Sequence, residues 1–331
     1  MNTAIHLQNR PTGRPDLSDF KFVEEEKPTP GEGEILLETK YISVDPYLRG
    51  RMVDAKSYIP PFELNKPITS GIIAEVKESK HPDFKAGDFV NGMLAWKEFQ
   101  VSDGKGLTKV DPDQAPLSAY LGILGMTGLT AYFGLTDIGK PKAGETILVT
   151  GAAGAVGSVV GQLGKIFECK VVGIAGSDDK IDLITSDFGF DAGINYKTTD
   201  DMKAAVEEAC PDGIDVFFDN VGGSIFDAVM ANTNRGARVV LCGAIADYNK
   251  TETPTGPRVN TTLIKNSILM QGFTVGNYQS EFQKGIQKLA GWLKDDKLNY
   301  EETIVEGFKN TPQAFLDLFD GKNTGKMVVK I

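Results

Sequence analysis

The sequence predicts an α/β chain in which a doubly wound parallel sheet follows a β-rich unit, and three observations predict it. The first third breaks into short strand-like runs between Pro and Gly turns. From Thr146 onward, β-rich apolar runs alternate with helical periodicity, the rhythm of parallel strands joined by crossover helices. Between the first of those runs and its helix lies a turn made only of Gly, Ala and Val, Gly151 to Gly157.

Taken in order, strands are expected over 34–43, 70–78, 88–94 and 96–102. The stretch 115–136 carries no charge and is long enough to cross a bilayer, but Gly122, Gly125, Gly128 and Gly134 favour buried short helices broken near Gly125. Further strands are expected over 146–150, 170–175, 214–220, 238–241 and 268–273. After the first of these, Val156, Val159, Val160, Leu163 and Phe167 form one helical face, and Ile181, Ile184 and Phe188 do so more sparsely after the second. Phe282, Ile286, Leu289 and Leu293 form a later helical stripe, and the tail 327–331 is again strand-like.

With 331 residues, 41% hydrophobic and 24% charged, the chain is globular in composition and long enough for two domains. Acidic residues outnumber basic ones 45 to 35, a net charge of −10 that disfavours a nucleic-acid partner held through phosphates. The three cysteines, Cys169, Cys210 and Cys242, lack CxxC spacing, which fits a reducing, cytoplasmic setting. Arg10, Pro11, Arg14 and Pro15 stand where an export signal would need an apolar run. No membrane association is expected.

The turn Gly151-Ala152-Ala153-Gly154-Ala155-Val156-Gly157 lets backbone N–H groups approach a pyrophosphate at a helix N-terminus. It departs from GxGxxG because Ala152 stands at the first glycine, but the strand before it and the helix and strand after it supply the context of a Rossmann domain. About 20 residues on, where an NAD site offers an acid, the chain reads Gly176-Ser177-Asp178-Asp179-Lys180. Small residues leave room for a 2′-phosphate and Lys180 can pair with it, so the expected cofactor is NADPH. The alternative is that Ser177 or Asp178 caps the helix, Lys180 is solvated and Asp178 holds a ribose.

Two histidines, His6 and His81, and no cysteine in the first third leave no ligand set for catalytic zinc. None of the nine tyrosines has Lys four residues on, as a short-chain dehydrogenase requires, and there is no Gly-x-Ser-x-Gly elbow.

Several stretches then carry a family resemblance: 45–52 (Asp-Pro-Tyr-Leu-Arg-Gly-Arg-Met), 125–132, the turn through Gly157, 175–180, 195–197, Phe218-Asp219-Asn220-Val221-Gly222-Gly223, 242–245 and Gly325-Lys326. In them the sequence resembles the medium-chain dehydrogenase/reductase superfamily, in the zinc-free branch of prostaglandin reductases, leukotriene B4 12-hydroxydehydrogenases and NADPH-dependent curcumin reductases. The resemblance spans nearly the whole chain. It implies a GroES-like catalytic domain over 1–124 with 299–331 and a Rossmann NADPH-binding domain over 125–298. It places the cofactor phosphates on Gly154, Ala155, Val156 and Gly157, and the 2′-phosphate on Lys180 with Tyr196; Ser177, which leaves room for that phosphate, is counted with the cofactor-binding residues. The ribose and nicotinamide fall to Asn220, to Cys242, Gly243, Ala244, Ile245 and Tyr248, and to Phe273, Val275 and Asn323. Phe273 and Val275 equally fit core positions, Asn323 a turn cap, and Cys242 a small buried hydrophobe.

Mammalian members carry a tyrosine about eight residues before Phe273, where this chain has Lys265. That points to the bacterial curcumin-reductase-like subgroup and leaves Tyr47, Tyr58 and Tyr248 as the phenols that could face a substrate. Tyr47 is favoured as donor to an enolate oxygen, against a packing role for its ring. The implied activity is NADPH-dependent reduction of the C=C bond of α,β-unsaturated ketones and aldehydes. Its rivals are a quinone oxidoreductase on the same scaffold and a crystallin-like protein that binds NADPH without turnover. The apolar strand at 268–273, last of the sheet, implies a homodimer joined at that edge.

Overall fold

The computed structural model describes all 331 residues, which divide into two units. The first comprises Met1–Gly122, Thr303–Asn323 and Met327–Ile331; the second comprises Ile123–Glu302 and Thr324–Lys326.

In the first unit, β1 (Asn2–Leu7) pairs antiparallel with β2 (Phe20–Glu25). There follow β3 (Ile35–Ser43), a single helical turn α1 (Leu48–Arg51), β4 (Thr69–Ser79), β5 (Phe89–Ala95), β6 (Phe99–Ser102) and β7 (Thr108–Val110). The long β3 and β4 carry alternating apolar residues whose inward set, including Ile35, Leu37, Ile42, Ile72, Ala74 and Val76, is buried. Trp96 is buried too, and its indole N–H is satisfied by the Ser70 hydroxyl at 2.8 Å.

The second unit starts with α2 (Met126–Phe133), after a one-turn helix Leu117–Leu121 that still belongs to the first. The uncharged stretch is thus two short helices parted at Gly122 to Gly125, as its glycines suggest, and no helix of the structure is long and apolar enough to cross a membrane. The chain continues through β8 (Thr146–Thr150), α3 (Gly157–Ile166), β9 (Lys170–Ala175), α4 (Asp178–Asp182), β10 (Ala192–Asn195) and α5 (Met202–Ala209). Next come β11 (Ile214–Asp219), α6 (Gly223–Met230), β12 (Thr233–Leu241), α7 (Asn260–Asn266), β13 (Leu269–Gly272) and α8 (Phe282–Lys294). The six strands are all parallel in the order β10-β9-β8-β11-β12-β13. This is the 3-2-1-4-5-6 order of a dinucleotide-binding sheet, with its reversal between β8 and β11. All five residues of β8 are buried, as expected of a strand covered on both faces.

The chain returns to the first unit through β14 (Glu302–Glu306), α9 (Thr311–Asp317) and β15 (Lys326–Lys330). β15 lies inside that sheet, in the order β14-β15-β3-β4-β5-β7, with β6 also on β3.

The expected strands thus match within a few residues, β12 of the parallel sheet starting earlier, at Thr233, and β6 of the antiparallel sheet later, at Phe99. The strands β1, β2, β7, β10 and β14 and the helices α1, α5, α6, α7 and α9 were not anticipated.

Candidate cofactor site

β8 ends at Thr150, and the chain leaves it through Gly151, which adopts a left-handed φ of 61°. The Gly154 N–H donates to the Gly151 carbonyl at 2.9 Å, and α3 begins at Gly157. A Cβ on Gly157 would sit 2.3 Å from the Gly151 oxygen, so only glycine lets helix and turn close this tightly. No side chain caps α3, whose first turn lies at the crevice at the carboxyl ends of β8 and β11, with the Ser158 N–H donating to the Gly154 carbonyl at 3.0 Å. Gly154, Ala155 and Val156 are each half-buried there. A strap from the far end of the chain flanks the turn: Gly325 bridges Gly154, and its N–H donates to the Ala153 carbonyl at 2.8 Å.

At the end of β9 the Ser177 hydroxyl accepts from the Lys180 N–H at 3.4 Å and caps α4, so the capping role is real. Asp178 accepts from the Asn195 side-chain amide at 2.7 Å. Lys180 is half-buried, and burial together with the nearby Lys197 ammonium lowers its pKa. The Tyr196 ring covers Gly176 so closely that a Cβ there would lie 2.8 Å from it, leaving no room for an acidic side chain at that position. Ser177, Lys180 and Tyr196 are therefore neighbours, joined by Lys197, which the sequence reading did not single out.

At the end of β11 the Asn220 side-chain N–H donates to the Thr150 carbonyl at 2.7 Å, and the Asn220 backbone N–H donates to the Thr150 hydroxyl at 2.9 Å. The Ile245 N–H reaches the Asn220 carbonyl at 3.4 Å, and the Tyr248 hydroxyl accepts from the Ala244 N–H at 3.2 Å. Asn220, Cys242, Gly243, Ala244, Ile245 and Tyr248 thus form one cluster. Beside it lies a cavity of about 460 Å³ bounded by Asp219, Gly222, Phe226, Cys242, Tyr248 and Gly256. Burial, then the Asp219 carboxylate, pushes the Cys242 thiol up to about 12, which suits packing rather than nucleophilic chemistry. Burial likewise raises the Tyr248 phenol. Phe273 fills the space left by Gly134, where a Cβ would be 2.6 Å from its ring, and stands edge-on to Tyr278. Val275 opens the short helical segment Val275–Glu281.

The remaining candidates belong to the first unit. Tyr47 is half-buried between β3 and α1; burial, then the Asp45 carboxylate, raises its phenol well above the usual range. Asp45 itself is buried and accepts from the Ser43 hydroxyl at 2.5 Å. Arg51 lies near both Tyr47 and Tyr58, and Tyr58 is 68% exposed. Asn323 is half-buried in the loop before β15. In the second unit Lys265 is exposed on α7.

Two family models match the chain: the N-terminal domain of oxidoreductase over residues 3–110 and zinc-binding dehydrogenase over residues 155–291. An NADP-dependent oxidoreductase of Bacillus subtilis is 56% identical over 99% of this chain and 97% of its own. The NADPH-dependent curcumin reductase of Escherichia coli is 43% identical, covering 98% of this chain and 95% of that one. The crystal structure of CurA from Vibrio vulnificus in complex with NADPH superimposes with a TM-score of 0.94 at 42% identity, over 99% of this chain and 98% of CurA.

Proposed function

Since this chain belongs to the medium-chain dehydrogenase/reductase family, in the branch of the curcumin and prostaglandin reductases, we propose that it reduces the C=C bond of α,β-unsaturated ketones and aldehydes with NADPH. The observation that carries this reading is the cradle at the reversal point of the parallel sheet. Its turn excludes a Cβ at Gly157, and its far end gathers two lysines, a tyrosine and a serine, which supports a 2′-phosphate site there.

These residues fit the dinucleotide, and bound NADPH would supply a hydride to the β-carbon of the enone. The chain's own work is to hold and orient. The turn Gly154 to Gly157 would take the pyrophosphate on the backbone N–H groups of Ala155, Val156 and Gly157, with Gly154 allowing the close approach; Ser177, Lys180, Tyr196 and Lys197 would take the 2′-phosphate. Asn220 and the Cys242 to Tyr248 segment, with Phe273, Val275 and Asn323, would fix the ribose and nicotinamide. Tyr47, whose raised pKa keeps its proton in place at neutral pH, would donate a hydrogen bond to the developing enolate oxygen, with Tyr58 and Tyr248 as the other phenols.

Zinc has no part in this proposal, because no three His, Cys, Asp or Glu side chains come together as a ligand set. Three free thiols support a reducing compartment, the cytoplasm, and the exposed edge of β13 supports a homodimer.

Labelled cofactor tests the reaction. Deuteride from NADPH should appear at the β-carbon of an enone such as curcumin, and a solvent proton at the α-carbon. Label on the carbonyl carbon of an allylic alcohol would overturn the reading.

A further inference from the structure

The Asp219 carboxylate, at the end of β11, is 2% exposed and takes no role in the reading above. It accepts from the Thr150 hydroxyl at 2.6 Å, from the Val221 N–H at 3.0 Å, and from the Gly222 N–H at 3.2 Å on one oxygen and 3.0 Å on the other. Its backbone carbonyl accepts from the N–H groups of Cys242 and Gly243, at 2.9 and 3.2 Å. One residue thus ties the ends of β8, β11 and β12 together at the point where the strand order reverses.

Proton bookkeeping makes this arrangement directional. The Thr150 hydroxyl has one proton, which goes to Asp219; its lone pair then faces the Asn220 backbone N–H. The Thr150 carbonyl can only accept, so the Asn220 amide must turn its NH2 toward it. That leaves the Asn220 side-chain oxygen as the end available to a ligand, an acceptor suited to a ribose hydroxyl.

We infer that Asp219, acting through the Thr150 hydroxyl on the Asn220 backbone N–H, is the positioning residue that holds Asn220 where the Thr150 carbonyl turns its amide oxygen toward the nicotinamide-side ribose of the cofactor. The inference rests on the NADPH reading proposed above. Every partner of the carboxylate is a donor, so an amide in its place would turn its N–H toward the Gly222 N–H and, without the charge, hold the Thr150 hydroxyl less firmly.

The test separates the two halves of the dinucleotide. Adenosine 2′,5′-bisphosphate uses only the phosphate turn and the lysine end, whereas NADPH also needs Asn220. Asp219→Asn and Thr150→Val should each raise the NADPH dissociation constant about tenfold or more, the scale of one lost charge-assisted or buried hydrogen bond. Both should leave the affinity for adenosine 2′,5′-bisphosphate within about twofold, since its contacts are elsewhere. Thr150→Ser, which keeps the hydroxyl, should restore most of the NADPH affinity. Should Asp219→Asn not fold, Thr150→Val, nearly identical in shape, decides alone. Parallel losses for both ligands would mean a merely structural role and overturn the inference, as would unchanged NADPH binding by Thr150→Val. A wild-type chain that fails to bind NADPH would overturn the proposed function instead.

Discussion

Lys180 is the residue on which cofactor preference should turn. Its replacement by Ala should weaken NADPH by about 1 to 3 kcal/mol and leave NADH nearly unchanged, because only NADPH offers a phosphate to its ammonium. Titration calorimetry with both cofactors checks this, and equal losses would contradict it. The depressed pKa adds a pH signature. A lysine is charged below its pKa and neutral above it, so the phosphate contact is present at neutral pH. It is lost as pH climbs through a range below the ordinary lysine value of about 10.4. The ratio of NADPH to NADH affinity should therefore fall on the way to that value, and Lys197→Gln, which removes the neighbouring ammonium, should move the fall to higher pH. A ratio constant up to the ordinary lysine range would exclude the effect. Tyr47→Phe should lower kcat/KM by about tenfold or more if its hydroxyl stabilises charge in the transition state; an unchanged value would pass the role to Tyr58 or Tyr248. Lys180 was legible because it follows its strand at the spacing a dinucleotide site requires. Asp219 was not, because its partner Thr150 lies 69 positions away and a carboxylate at a strand end reads equally well as an ordinary cap.

Among the elements, α3 was legible as an apolar stripe, but the stripe hides why the helix can lie so close to the sheet. A Cβ on Gly161 would meet the Phe190 ring at 1.8 Å, and one on Gly164 would meet Val171 and Ile147 at 2.7 and 2.9 Å. Gly161→Ala should therefore destabilise the fold by about 1 to 3 kcal/mol through overpacking. Gly291→Ala on α8, where nothing lies within 4 Å, should instead stabilise by about 0.5 to 1 kcal/mol through helix propensity. Thermal unfolding of the two variants reads the opposite signs, and a common sign would refute the packing argument. The unread elements share a cause. β1 buries Asn2, whose amide exchanges two hydrogen bonds with the Phe99 backbone across 97 positions, so a polar residue sits where a period-two pattern expects an apolar one. β2 ends in two glutamates, and β10 is a four-residue strand containing a glycine. Satisfaction of polar groups by distant partners leaves no local trace in a sequence.

For the whole molecule, the parallel sheet ends on β13, where Leu269 is 50% exposed and the strand pairs only with β12. An edge of this kind invites a second copy. Light scattering should report a dimer at micromolar concentration, and Leu269→Lys should shift it toward monomer; a wild-type monomer would contradict the proposed assembly. The segment 324–330 has a consequence for biosynthesis. Gly325 braces the glycine turn of the second unit, and β15 fills an interior place beside β3 in the first. A ribosome delivers the chain from its amino end, so every other strand of both sheets emerges before this segment does. Until it arrives, half of β3 lacks its second neighbour and the turn lacks its brace. Neither unit can mature before this segment leaves the ribosome, and a nascent chain stalled before residue 324 would display an open β-edge for chaperones to guard.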